Sequence, residues 1–160
     1  MIIAHLPAGY LLTRVTPKHL PIWAVLLGSI CPDFDMALIW ADIVHFNHHH
    51  LPTHRPAVWF AVLILGAAFK LRWLQGVAIG ALLHVSLDSI AGQINWLWPI
   101  GDLTLGLIDV IAQPGWWVWS FVRHWLFGFE LVICAVALGT ILYRRKKKNP
   151  RSITEGSSNS

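Results

Sequence analysis

WLQGVAIGALLHVSLDSIAGQI, residues 73–94, decides how the rest of the chain is read. A membrane-crossing helix needs about 20 predominantly apolar residues, and this stretch supplies them. Gly76, Gly80 and Ala81 give it a small-residue face for close helix packing. It also carries His84 and Asp88, four positions apart and therefore on one face of a helix, where the two can bind a single ion. An ionisable group in hydrocarbon costs roughly 2.5–3.5 kcal/mol on insertion scales, so such residues need something that offsets the cost. Taken alone, the pair reads more readily as a buried His–Asp hydrogen bond.

Two further clusters change the balance. In SICPDFDMALIW, residues 29–40, Asp33 and Asp35 flank Phe34 next to Pro32, which removes a backbone donor and loosens the helix. Two carboxylates turned toward a common point repel unless a cation or a proton lies between them. In HHHLPTHRP, residues 48–56, His49 and His54 sit in a loop that could otherwise be an ordinary polar surface run. Imidazole and carboxylate are natural ligands for a divalent metal, and one shared ion accounts for all three clusters.

Composition sets the solvent. The chain has 160 residues, 56% of them hydrophobic and 12% charged, with a mean hydropathy of +0.57. Soluble domains carry about 25% charged residues, so lipid is the expected surrounding. Ten Trp point the same way, because Trp gathers at the membrane–water interface. The formal net charge is +4, and Arg144, Arg145, Lys146, Lys147, Lys148 and Arg151 supply half of the 12 basic residues. A basic run directly after an apolar segment reads as a cytoplasmic flank and not as a nucleic-acid patch. Cys31 and Cys134 have no CxxC spacing, so no disulfide framework is indicated. Cys31 is close enough in sequence to approach a metal but reads as a small buried hydrophobe. The N-terminus lacks the pattern of a signal peptide.

The expected architecture is an all-α, polytopic membrane bundle with about four membrane-crossing or re-entrant segments and no β-sheet, since open sheets cannot sit in lipid. Residues 1–148 form a membrane-embedded metal-site domain and 149–160 a disordered cytoplasmic tail. Within the domain, residues 2–13 form a short helix. The segment 20–44 is broken at Pro32, 45–55 is a polar loop, and 56–69 is short for a full span. A full span at 73–94, a Gly-, Pro- and Trp-rich loop at 95–122 and a last span at 125–143 complete it. Arg14 and Lys18, Lys70 and Arg72, and the 144–148 run can all lie in the cytoplasm in one topology, against Arg55 and Arg123. The C-terminus is then cytoplasmic and the His-rich loop outward, with Trp96, Trp98, Trp116, Trp117, Trp119 and Trp125 marking the outer interface.

AHLPAGY (4–10), PDFD (32–35), HHLPTHR (49–55) and GALLHVSLDSIAGQINWLWPI (80–100) together resemble the family of LexA-binding, inner-membrane-associated hydrolases, also called predicted membrane-bound metal-dependent hydrolases. The resemblance spans four ordered motifs over the first 100 residues. That family is distantly similar to zinc-dependent phospholipase C and the single-strand-specific zinc nucleases, which hold a zinc cluster with His, Asp, His and HxxxD ligands in this order. The resemblance implies His5, Asp35, His49, His84 and Asp88 as ligands, with Asp33 and His54 on the remaining motif positions. The soluble enzymes add a further His and HxxxE downstream. Here only His124 and Glu130 follow, six apart, so one or two zinc ions, or another divalent metal, are expected.

A bacterial inner-membrane hydrolase of phosphoesters follows as the expected activity, acting on a membrane lipid or lipid-linked substrate. Asp33 is a further ligand or the general base, Arg55 holds the phosphate, and Thr53 supports the loop or a ligand. The competing expectation is a regulatory or scaffolding membrane protein with a structural metal and a protein partner. A metal transporter ranks last, because no second copy of PDFD suggests internal symmetry.

Overall fold

The computed structural model describes residues 3–41, 43, 48–108 and 117–148. Among them are seven α-helices: α1 (His5–Val15), α2 (Ile22–Gly28), α3 (Met36–Trp40), α4 (Pro56–Ala68), α5 (Arg72–Ala91), α6 (Trp117–Val122) and α7 (Trp125–Lys148). Prolines punctuate them. Pro17 forces Thr16 into extended backbone and ends α1. Pro56 occupies the first turn of α4, where its missing N–H costs nothing. The segment expected at 20–44 is indeed broken around Pro32: a 3-10 turn over Cys31–Asp35 separates α2 from α3. Two more 3-10 turns, His48–His50 and Pro52–His54, shape the His-rich loop.

Among the described residues two helices are long and apolar enough to cross a membrane, α5 with 20 residues and α7 with 24. At 1.5 Å per residue α5 measures about 30 Å, the thickness of a hydrocarbon core. The 13 residues of α4 fall short, and four spans are not established. α7 runs through the basic stretch to Lys148 instead of ending at residue 143. It keeps Leu131, Val132, Val136, Leu138 and Leu142 exposed, an apolar surface that lipid would cover.

α2 packs on α5 almost backbone to backbone. A Cβ at Gly28 would stand 2.0 Å from the Val77 carbonyl oxygen, and one at Gly80 would stand 2.1 Å from that of Val25. Ala24 and Val25 of α2 also meet Gly76 of α5 in this seam, where a Cβ on Gly76 would stand 2.9 Å from that of Ala24. α4 turns back into α5 through Lys70, which holds φ 57° and lets the Leu71 N–H reach the Gly66 carbonyl at 2.8 Å.

The expectation of no sheet is corrected in one place. Residues 94–105 form a small antiparallel hairpin, β1 (Ile94–Asn95) with β2 (Thr104–Leu105), pairing Ile94 with Leu105 and Asn95 with Thr104. It follows the end of α5, beyond the apolar span, so the cost of open strand edges in lipid does not apply. The expected tail at 149–160 and Trp116 lie outside the described residues.

Candidate metal centre

The last turns of α5 project His84 and Asp88 from one face into a buried space. The start of α1, the Cys31–Asp35 turn and the Pro52–His54 turn close that space. Asp33 Oδ1 and Asp88 Oδ2 lie 3.4 and 3.0 Å from His84 Nε2, and 3.7 and 3.6 Å from His54 Nε2. Asp33, His54, His84 and Asp88 each offer a ligand atom, and the four atoms lie within 4.8 Å of one another. His54, His84 and Asp88 are buried at 0, 0 and 1% exposure, while the Asp33 side chain is 37% exposed and forms the accessible edge.

Both imidazoles are oriented from behind. His84 Nδ1 lies 2.9 Å from the Ser29 carbonyl, which can only accept, so Nδ1 carries a proton and Nε2 is the atom turned to the cluster. His84 Nε2 is buried and makes no hydrogen bond among the described residues. His54 Nδ1 lies 3.1 Å from Asp35 Oδ2, which also accepts a short hydrogen bond from Thr53 Oγ1. Carboxylates and carbonyls behind ligating histidines fix tautomer and ring angle in this way at metal sites. Two nitrogens and two carboxylate oxygens at this spacing, with a buried nitrogen lacking a hydrogen bond, fit a divalent metal ion.

The remaining expected ligands take different places. His5 stacks on His84, ring centroids 3.8 Å apart, and puts Nε2 3.1 Å from Asp88 Oδ1. Burial lowers its pKa, which favours the neutral ring. His49 is at the periphery, Nε2 3.8 Å from Asp88 Oδ2. Asp35 lies behind His54 and outside the group of four. Thr53 takes its expected supporting role through Asp35, and the Cys31 thiol, pushed up to about 11 by burial, is not among the four either. Burial works against the charged form of His54, but Asp33, Asp35 and Asp88 outweigh it and raise the group to about 10. Burial likewise opposes ionised Asp33, yet the His54 and His84 imidazoles that face it hold it well below the usual carboxylate range.

Over residues 1–149 the sequence matches the model of the YdjM inner membrane protein family. The chain belongs to that family. No curated protein and no solved structure matches it. For this YdjM-family chain the membrane assignment and the apolar α5 and α7 therefore agree.

Sequence reasoning missed Ser29, whose carbonyl has no side-chain signature, and Gly92, where a Cβ would stand 2.4 Å from His49 Cε1. It also missed the structural use of Glu130. That residue is fully buried on α7, and its Oε2 accepts the Ile3 backbone N–H at 2.7 Å, just ahead of α1. Arg55 lies outside the metal group, its Nη2 bound to the His50 carbonyl at 3.0 Å on the wall of a neighbouring cleft.

Proposed function

We propose that this YdjM-family chain is a multi-pass, metal-dependent hydrolase of phosphoester bonds, acting on a lipid or lipid-linked substrate from the outer face of the inner membrane. The observation that carries it is the convergence of Asp33, His54, His84 and Asp88, with one edge of the group reaching solvent through Asp33. A bound divalent ion, zinc being the first candidate, brings the pKa of its water toward about 7 and polarises a phosphoryl oxygen. The chain's own residues do the rest. Ser29 and Asp35 hold the two imidazoles in place, and Asp33 either completes the ligand set or accepts the proton of an entering water. Arg55, one residue beyond His54, binds the phosphate from the adjoining cleft.

Metal analysis of the purified protein and of His84→Ala, with phosphomonoester and phosphodiester hydrolysis on the same samples, tests the proposal. Stoichiometric zinc and turnover in the wild type, both lost in His84→Ala, is the expected result. One observation favours a second reading: four protein ligands are also the number that closes a structural zinc site. Tight metal with no turnover on either ester class moves the protein to a scaffolding role with a protein partner.

A further inference from the structure

A cleft of about 230 Å³ is lined by His50, Arg55, Gln93, Asn95, Asp102 and Thr104. Three of its lining residues are next in sequence to residues at or beside the cluster. His50 follows His49, Arg55 follows His54, and Gln93 follows Gly92, which packs on the His49 ring. The volume is below the roughly 300–1,000 Å³ of pockets that enclose a drug-sized molecule, so it admits a headgroup and leaves the bulk of a larger ligand outside.

The charges in this cleft are separated. Arg55 spends one donor on the His50 carbonyl and keeps the rest of its fork. Asp102 is held by Asn95, an 8% exposed side chain whose Nδ2 donates to Asp102 Oδ1 at 3.2 Å. Asn95 is fixed in turn, because its Oδ1 accepts the Leu97 and Trp98 backbone N–H groups at 3.1 and 3.0 Å. Asp102 makes no ion pair with Arg55 among the described residues. A cation and an anion kept apart in one small polar cleft complement a ligand that carries both signs. Around the cleft the hairpin exposes Leu97, Trp98, Ile100, Leu103, Leu105 and Leu107, a rim suited to the lipid interface.

We propose that this cleft is a headgroup subsite selective for zwitterionic phosphoesters, with Arg55 taking the phosphate and Asp102 the ammonium of an amino-alcohol. It rests on the hydrolase reading only for the chemistry after binding. Full-length protein, metal-stripped and zinc-loaded, is titrated with soluble glycerophosphoethanolamine and with glycerophosphoglycerol. The ethanolamine probe binds about tenfold more tightly in both states, as one charge-assisted contact allows. Asp102→Asn removes that preference and leaves glycerophosphoglycerol binding unchanged, whereas Arg55→Ala weakens both probes. Nanodiscs containing phosphatidylethanolamine that compete with the soluble probe identify a lipid as the source, and binding without such competition identifies a water-soluble phosphoester. Equal affinity for the two probes in the wild type, or equal losses in Asp102→Asn, overturns the proposal even if the protein hydrolyses phosphoesters. An ethanolamine preference in a protein that neither holds metal nor turns over leaves the subsite standing and removes the hydrolase.

Discussion

His54 joins the buried cluster to the solvent loop, and its protonation sets how a metal enters. With its pKa raised to about 10 by three carboxylates, it holds a proton at neutral pH in the metal-free protein. A metal needs the neutral ring, so each ion bound expels that proton and affinity climbs at least about tenfold per pH unit from about 7 toward 10. Competition with a chelator at several pH values measures the slope, and an affinity independent of pH refutes it. The metal-free fold shows the opposite trend. A folded-state pKa above the free value of 6.5 stabilises the protein fully below about pH 6.5, and the contribution is lost as pH rises through about 10. Asp35, which orients His54, is expected to matter without ligating: Asp35→Ala weakens metal binding by about 10–100-fold, where loss of a ligand in Asp88→Ala abolishes it. Equal, complete loss in both would make Asp35 a ligand. This division between the two aspartates was not legible in PDFD. At three residues per turn in a 3-10 helix, positions two apart face different sides, so Asp33 reaches the cluster while Asp35 reaches the back of His54. The HxxxD pair was legible because four-residue spacing on an α-helix fixes a common face.

The α2–α5 seam carries the site, since Ser29 at the end of α2 touches His84 on α5. Gly80→Val places a side chain where even a Cβ meets the Val25 carbonyl, so the helices must separate. Overpacking of this kind costs about 1–3 kcal/mol, and moving Ser29 from His84 also lowers metal affinity. Thermal unfolding in detergent with a zinc titration reads both. Unchanged stability would show that the seam is looser than its glycines indicate. The small-residue face of α5 announced this packing in the sequence. The hairpin over 94–105 gave no comparable signal, because two-residue strands are too short for an alternating pattern and their pairing is stabilised by Asn95 and the neighbouring turn.

For the molecule as a whole, the basic groups and the site occupy opposite ends of the long helices. Arg72 opens α5 while His84 and Asp88 lie near its close; α7 starts at Trp125 and ends in Arg144–Lys148. Positive flanks favour the cytoplasm, and on that rule we propose that the metal centre, the cleft and Trp96, Trp98, Trp119 and Trp125 face outward. A reporter fused after residue 160 is expected to be active only in its cytoplasmic form, and an external signal reverses the orientation. Among these Trp residues the described side chains differ. Trp98, Trp119 and Trp125 are exposed as interface residues would be, while Trp96 turns inward and donates to Ser89 Oγ at 2.8 Å.

The bond from the Ile3 N–H to Glu130 joins positions 127 residues apart. A ribosome finishes the start of α1 first and α7 last, so this tie cannot form until Glu130 has been made and inserted. Asp33, His54, His84 and Asp88 all precede α7 in the chain. The four groups of the centre can therefore gather on the nascent chain before the N-terminal segment ahead of α1 is fastened to the last helix.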